Sequence, residues 1–329
     1  MATSSVDSWP PAFVIVLTSM FVFALFFLGP SNPADAICNA NGRCTQERQQ
    51  TLEHALGLDQ NVAAAYGDYV KGFFVDRTIN AGAEYKCDAP CLGISYQSKR
   101  EVRKELISKY PATLSIAIGG AFVFLTLGVT LGVLAARYRG TVADRALVTG
   151  SLLVSSIPYY IVALIAWVYL INTWSVFPET GYFPILDNPI KWAAGMLLPW
   201  LVLGISSSTQ YARFTRGSMA ETLGEDYVRT ATAKGVTSNK VVFKHALRAA
   251  IVPIVTIFGL DFAALLAGTI FTEYIFDVDG VGAWALDALN PIDFPIVSAT
   301  VLVSAILIVV ANLVVDVLYS FIDPRVRLT

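Results

Sequence analysis

Histidine and charged residues are scarce in this sequence. Of its 329 residues only 2 are histidine, His54 and His245, and 15% are charged, with a formal net charge of −2. The sequence contains no G-x-x-x-x-G-K-[ST] phosphate loop, no H-E-x-x-H metal pair and no Ser/His/Asp set. The charge balance excludes a strongly basic protein that binds nucleic acid. The missing motifs argue against ATP binding, a metal site or catalysis in this chain.

Apolar residues, in contrast, make up 55% of the chain. This composition is typical of an integral membrane protein rather than a soluble domain. A helix that crosses a lipid bilayer needs about 20 mainly apolar residues. The sequence therefore predicts an all-α membrane protein with six transmembrane helices. They are residues 11–29, 111–136, 146–171, 192–211, 250–272 and 294–321.

The first of these stretches has two interpretations. Residues 11–28 carry no charge, as expected for a spanning helix. Ala34-Asp35-Ala36, however, has the small-x-small form of a signal-peptide cleavage site. No Lys or Arg precedes the stretch, which disfavours a signal peptide because such peptides begin with a basic segment. We expect residues 1–29 to be retained as the N-terminus and first span, with cleavage as the alternative.

The distribution of basic residues predicts the orientation in the membrane. Lys and Arg lie between the second and third spans, in the segment 212–249 and near the C-terminus, whereas the loops 172–190 and 273–293 have none. Because short cytoplasmic loops carry the excess of Lys and Arg, both termini and the segment 212–249 are predicted to be cytoplasmic. The region 30–110 is then extracytoplasmic, because a long segment is translocated in spite of its charge.

All four cysteines lie in this region, which we expect to be a folded insertion between the first two spans. They are Cys38, Cys44, Cys87 and Cys91. Cysteines in an exported region usually form disulfides because the compartment is oxidising. Four cysteines allow three pairings, of which the local ones, Cys38–Cys44 and Cys87–Cys91, are favoured. A zinc site of four thiolates is the alternative.

Two features inside the predicted spans concern helix packing and polarity. Gly128 and Gly132 form a G-x-x-x-G pair, which favours close approach of two helices. Asp261 lies near the middle of the fifth span, where a charge is costly and by default faces a cavity or a polar partner. It either lines a polar path through the membrane or makes an interhelical hydrogen bond, and the sequence leaves both readings open.

The polar segment 212–249 predicts two short helices that are separated at Gly235. Gly235 is expected to end the first helix, and Ser238 to cap the second. Four apolar residues recur at helical spacing and form one stripe. They are Ala220, Leu223, Tyr227 and Ala231. Such a helix either docks in a groove of another protein or lies on anionic lipid, and periodicity does not decide between them.

A sequence signature adds to this interpretation. Arg229-Thr230-Ala231 is followed by three residues, Gly235, nine residues and His245-Ala246-Leu247-Arg248. This spacing resembles the E-A-A signature of binding-protein-dependent ABC importer permeases, E-A-A, three residues, Gly, nine residues and I-x-L-P. Arg229, His245 and Arg248 depart from the signature. The segment D-Y-V-R-T-A-x-A-K-G with H-A-L-R is similar to the B-type permease of the dipeptide/oligopeptide branch. The resemblance is strong over residues 111–329 and weak before residue 110.

The resemblance implies a fold, a site and partners. The fold would be that of a type I ABC importer permease, with residues 111–329 as its core. Such permeases pair with a second homologous permease and with two ATP-binding subunits or one fused ATPase. An extracytoplasmic solute-binding protein delivers the substrate. This chain would bind no cofactor, since ATP and Mg would be held by the ATPases. Coupling to the ATPase would involve Asp226, Tyr227, Val228, Arg229, Thr230, Ala231, Gly235 and His245.

The implied function is import of di- and oligopeptides across the cytoplasmic membrane. If Asp261 lines a polar path, that path would be the translocation path. Closely similar permeases serve nickel, glutathione and oligosaccharide importers, which are the alternatives. A secondary transporter would need ion-coupling acids in several spans, and only Asp261 and Asp316 are candidates. A membrane enzyme is disfavoured because the two histidines are predicted to lie on opposite sides of the membrane. The substitution Gly235→Asp is expected to uncouple ATP hydrolysis from uptake.

Overall fold

The structure is a computed structural model that describes residues 11–28, 34, 38, 45–46, 49–50, 53, 61–80, 84–290 and 292–322. Within these ranges the chain is mainly helical. It divides into two compact units, Met1–Pro111 with Gly280–Val309 and Ala112–Asp279 with Val310–Thr329.

The elements before the second predicted span are two helices and a two-stranded ribbon. They are α1 (Pro11–Leu28), α2 (Val62–Lys71), β1 (Arg77–Asn80) and β2 (Glu84–Cys87). Asn61 caps α2, because its side-chain oxygen accepts a hydrogen bond from the Ala63 amide at 3.0 Å. The strands pair antiparallel with Arg77 opposite Cys87. The prediction of an all-α protein misses this ribbon, because strands of four residues leave little periodicity to detect.

Helices make up most of the remaining chain. They are α3 (Val102–Arg137), α4 (Val142–Ser156), α5 (Tyr159–Thr173), α6 (Pro189–Thr222), α7 (Asp226–Ala233), α8 (Ser238–Ala250), α9 (Val252–Ala267), α10 (Ile270–Ile275), α11 (Val281–Asp287) and α12 (Phe294–Ile322). Helix α5 is π-helical over Trp167–Thr173, and α8 over Val241–Ala246.

Among the described residues, three helices are long and apolar enough to cross a membrane: α3, α6 and the part of α12 over Phe294–Val315. Two bent pairs, α4 with α5 at 88° and α8 with α9 at 51°, raise the number to five if each pair is one span. In α1, the apolar stretch Phe13–Ala24 is shorter than these spans. Six spans therefore stay a prediction.

Two predicted spans are interrupted in the structure. The third stretch, 146–171, breaks at Ile157, whose extended backbone precedes Pro158. A proline disfavours the α-helical conformation in the residue before it, which explains the break. The fifth stretch, 250–272, ends its helix at Gly268, which has a φ of 137°. The apolar runs thus continue past the points where the helices stop.

The predicted disulfide between Cys87 and Cys91 is present, and both residues are fully buried beside Ile94. The bond contradicts the zinc alternative, because two of the four sulfurs are covalently joined. Cys38 is also disulfide-bonded. Its predicted partner Cys44 lies outside the described residues, so that pairing stays a prediction.

Helices α3 and α6 pack through the predicted glycine pair. A Cβ at Gly128 would lie 3.0 Å from the Ser208 carbonyl oxygen, and a Cβ at Gly132 would lie 2.7 Å from that of Ala212. Glycine is needed at both positions because a side chain would displace the backbone of the neighbouring helix. This close approach fixes the end of α6 from which the candidate site extends.

Candidate functional site

The candidate site is the polar hairpin, residues 226–250, which consists of α7, a glycine turn and α8. Helix α7 ends at a left-handed residue, Gly235, with a φ of 79°. The Val236 amide donates to the Ala231 carbonyl oxygen at 3.2 Å, and the Gly235 amide to that of Thr232 at 3.0 Å. These two bonds define a Schellman motif, in which glycine is the favoured left-handed residue. The predicted helix end at Gly235 is present.

The second helix of the hairpin differs from the sequence-based expectation. Its N-cap is Thr237, which makes no side-chain capping bond, and Ser238 is already the first helical residue. The prediction that Ser238 caps this helix is therefore wrong by one residue. The helix then contains a π-helical turn, Val241–Ala246, of the kind that recurs at functional sites.

An apolar core holds the polar hairpin on the ends of α3 and α6. Its members are fully or nearly fully buried and come from α3, α6 and α8. They are Val133, Ala136, Met219, Val242, Ala246 and Ala250. The Ser218 hydroxyl adds a polar link, because it donates to the Ala250 carbonyl oxygen at 2.9 Å. The hairpin is thus packed against membrane helices along one side.

The other side of the hairpin is exposed and carries two aromatic rings. Tyr227 is 47% and Phe243 is 52% exposed. Partial burial and the nearby Glu225 carboxylate raise the pKa of Tyr227. Val228, in contrast, is only 2% exposed. Val228 therefore adds almost no side-chain surface for docking, and its predicted part in coupling stays a prediction.

The other predicted coupling residues lie on the same hairpin. The Arg229 guanidinium is exposed and lies 4.0 Å from the Asp226 carboxylate. The Thr230 hydroxyl donates to the Asp226 carbonyl oxygen at 2.8 Å and is occupied within α7. Ala231 and His245 are half-buried. Arg229 and Asp226 are thus the exposed charged residues among the predicted coupling residues.

Asp261 makes the interhelical hydrogen bond that was one of its two interpretations. The Tyr211 hydroxyl of α6 donates to the Asp261 carboxylate of α9 at 2.8 Å. Tyr211 is 1% exposed, and its ring stacks on Phe124 with 4.7 Å between the centroids. This bond satisfies one polar atom of the half-buried Asp261, and its place in the translocation path stays a prediction.

We expect Tyr211→Phe and Asp261→Ala each to destabilise the folded protein by about 1–3 kcal/mol, because a buried partner loses its hydrogen bond. Asp261→Asn should stay close to the unmodified protein, since its amide oxygen still accepts from Tyr211. Thermal unfolding of the purified protein in detergent measures the three effects. If Asp261→Ala unfolds at the same temperature as the unmodified protein, the bond does not stabilise the fold.

Two fully buried acids outside the hairpin are held by hydrogen bonds within the fold. Glu273 is fully buried, and its Oε1 accepts from the hydroxyls of Thr113 at 2.8 Å and Thr269 at 3.0 Å. Asp293 is also fully buried. Its carboxylate accepts from the Ser95 hydroxyl at 2.6 Å and from the amides of Tyr96 and Gln97, each at 3.1 Å. Buried carboxylates of this kind require such donors.

Sequence reasoning missed an ion pair near the hairpin, between Asp144 and Arg216. Both oxygens of Asp144 accept from the Arg216 guanidinium, Oδ1 from Nε and Oδ2 from Nη2 at 2.9 Å. In the sequence, Arg216 serves only as one of the basic residues of the segment 212–249 that indicate the orientation in the membrane. A local signal for Asp144 existed, because Thr141-Val142-Ala143-Asp144 has the [ST]-x-x-[DE] form of a helix start. No signal linked it to Arg216.

Comparisons with known proteins agree with this architecture. The family model described as "Binding-protein-dependent transport system inner membrane component" matches residues 128–328, and the model of its N-terminal region matches residues 8–117. The chain therefore belongs to this family, and it is a multi-pass membrane protein. The resemblance extends well before residue 110, where the sequence signature had suggested only a weak one.

Similar proteins include two named peptide permeases. The di/tripeptide transport system permease protein DppB of Pseudomonas aeruginosa is 34% identical over 330 residues, which cover 94% of each chain. The dipeptide transport system permease protein DppB of Escherichia coli is 34% identical over 96% of this chain and 95% of that protein.

A solved structure supports the fold. A chain of the MetNI methionine ABC transporter, in an inward-facing conformation, superposes with a TM-score of 0.53 at 16% identity. The match covers 67% of this chain and 97% of that chain. At this identity the likeness concerns the fold alone, which is that of a type I ABC importer permease.

Proposed function

We propose that this chain is the permease subunit of an ATP-driven ABC importer of di- and oligopeptides. The observation that carries the proposal is the polar hairpin, a glycine-ended helix with exposed aromatic rings on the segment that bears the family signature. The names of the two DppB relatives favour peptides over nickel, glutathione or oligosaccharides. A hairpin built to dock on another protein also favours an ATP-driven importer over a secondary transporter.

The proposed complex contains a second homologous permease, two ATP-binding subunits or one fused ATPase, and an extracytoplasmic solute-binding protein. This chain would be non-catalytic and would bind no cofactor, with ATP and Mg held by the ATPases. It would lie in the cytoplasmic membrane with both termini and the polar hairpin in the cytoplasm. Residues 30–110 would form the extracytoplasmic insertion.

The test is uptake by the complete complex in proteoliposomes. We expect a radiolabelled dipeptide to enter only when ATP and the solute-binding protein are both supplied. Uptake driven by an ion gradient without ATP would overturn the proposal. ATP-driven uptake of nickel, glutathione or an oligosaccharide, but not of peptides, would contradict the proposed substrate and support the assignment as an ATP-driven importer.

The exposed aromatic rings are the proposed contacts to the ATPase. Large aromatic side chains at the centre of an interface each contribute about 2 kcal/mol or more to binding, which is roughly 30-fold in affinity. We therefore expect Tyr227→Ala with Phe243→Ala to lose the ATPase subunits on affinity purification. Phe183→Ala is a matched control, because Phe183 is 43% exposed but lies outside the hairpin. Normal recovery of ATPase with the double variant would exclude this surface.

The proposed place of Asp261 in the translocation path has a separate readout. Asp261→Asn keeps the acceptor for Tyr211, so a role in folding alone leaves uptake unchanged. We expect this variant to transport more slowly at unchanged thermal stability. Unchanged uptake would leave Asp261 with the interhelical bond as its role.

A further inference from the structure

The Asp144–Arg216 ion pair joins α4 to α6, and the proposed function gives it no role. The Asp144 side chain is 5% and that of Arg216 29% exposed. Besides the two bonds from the guanidinium, Oδ2 of Asp144 accepts from the Gly140 amide at 2.9 Å. A bidentate Arg–carboxylate pair of this kind fixes the relative orientation of its partners as well as their distance.

Each partner occupies a defined position. Asp144 lies in the first turn of α4, and its amide donates to the capping hydroxyl of Thr141 at 3.4 Å. Arg216 lies near the end of α6, close to the two α6 residues that hold the polar hairpin. Those residues are Met219, in the shared apolar core, and Ser218, bonded to Ala250. The end of α6 thus contacts the hairpin on one side and the start of α4 on another.

The other contacts of α6 differ in kind. Near this end, its contact with α3 is the close glycine packing at Gly128 and Gly132. Hydrogen bonds between α6 and α3 lie nearer the start of α6, where the indole N–H groups of Trp192 and Trp200 donate to Ser115 at 3.1 Å and 2.8 Å. Towards α4, the Arg213 guanidinium donates to the Ser155 hydroxyl at 2.7 Å, and the Ser155 and Thr209 hydroxyls lie 3.1 Å apart. Asp144–Arg216 adds an ion pair between α4 and α6.

We propose that Asp144 and Arg216 are positioning residues that transmit movement of the polar hairpin to α4, the first half of the third predicted span. The proposal rests on the proposed function, because the movement would come from the ATPase. Packed helices slide past each other by small shear motions. A half-buried, two-bond ion pair resists that sliding, so α4 follows the end of α6. Without the pair, the hairpin would move and α4 would lag behind.

The experiment measures peptide imported per ATP hydrolysed by the complete complex in proteoliposomes. We expect Asp144→Asn and Arg216→Gln each to lower this ratio about fivefold, within the range that mutations along a coupling element produce. The KM for the loaded solute-binding protein should not change, because the proposed role of the pair does not include the contact with that protein. Arg216→Lys should fall in between, since an ammonium is a point charge and cannot bond both oxygens in the same plane.

A double variant separates a transmitting pair from two independent residues. Asp144→Asn with Arg216→Gln should have the same ratio as either single variant, because each already breaks the pair. Arg145→Gln is the control, since Arg145 is the exposed arginine next to Asp144. The amount of assembled complex is measured for each variant, and rates are given per complex.

Three outcomes would overturn the positioning role. They are an unchanged ratio in both single variants, additive effects in the double variant, and a fall in uptake and ATP hydrolysis that only follows a loss of assembled complex. Each presupposes ATP-driven uptake by the unmodified complex. If that uptake is missing, the proposed function fails, whereas normal uptake with any of these three outcomes rejects the positioning role alone.

Discussion

Gly235→Val should leave the chain folded in the membrane and reduce ATP-driven uptake by about tenfold or more. Gly235 has a φ of 79°, and a Cβ built there meets nothing within 4 Å. The effect must therefore come from the backbone and not from a clash. The left-handed conformation costs an L-residue about 1–2 kcal/mol, and a β-branched side chain tolerates it least. A valine would open the Schellman turn and change how α7 presents Tyr227.

The control is Gly235→Asn, because asparagine adopts the left-handed conformation more readily than other residues with a side chain. It fills the same open space and should retain most of the uptake. Equal uptake by the Val and Asn variants would show that the left-handed turn is not needed for coupling.

Gly132→Ala should destabilise the folded protein by about 1–3 kcal/mol, the usual cost of overpacking a tight contact. The added methyl group would lie 2.7 Å from the Ala212 carbonyl oxygen and against Thr215. Backbone atoms of a membrane helix cannot move aside as a flexible side chain can. The two helices would have to move apart, and this movement would displace the end of α6 that contacts the polar hairpin.

Gly217→Ala is the matched control on α6, because a Cβ there meets nothing within 4 Å. It should be neutral or slightly stabilising, since alanine favours a helix more than glycine does. Thermal unfolding in detergent, followed by the loss of monodisperse protein, measures both variants. Equal unfolding temperatures for the two would contradict the close packing of α3 on α6.

Features that depend on local chemistry were predictable from the sequence. The helix end at Gly235, the bond between Cys87 and Cys91 and the close packing at Gly132 each follow from a residue type and a short spacing. The apolar runs also located most of the membrane helices. The break beside Pro158 follows from the proline itself. The break at Gly268 was missed because hydropathy measures composition and not backbone conformation.

Features that depend on distant parts of the chain were not predictable. Val228 has the same apolar character as an exposed docking residue, and only the packing of the folded hairpin shows that it is buried. Arg216 and Asp144 are separated by 72 positions. Tyr211 and Asp261 are separated by 50. Without related sequences to compare, no periodicity or motif connects residues so far apart.

The bond between Cys87 and Cys91 has a practical consequence for preparing the protein. The Cys91 amide donates to the Gly72 carbonyl oxygen at 2.9 Å, and the Arg77 side chain donates to the Cys91 sulfur at 3.1 Å. The cystine thus ties the ribbon to the end of α2. Thiols stay reduced in cytosol-like extracts. Cell-free synthesis with a reducing agent would therefore yield the chain without the Cys87–Cys91 disulfide. The protein should be made in a host that exports this region, or treated with a thiol oxidant after synthesis.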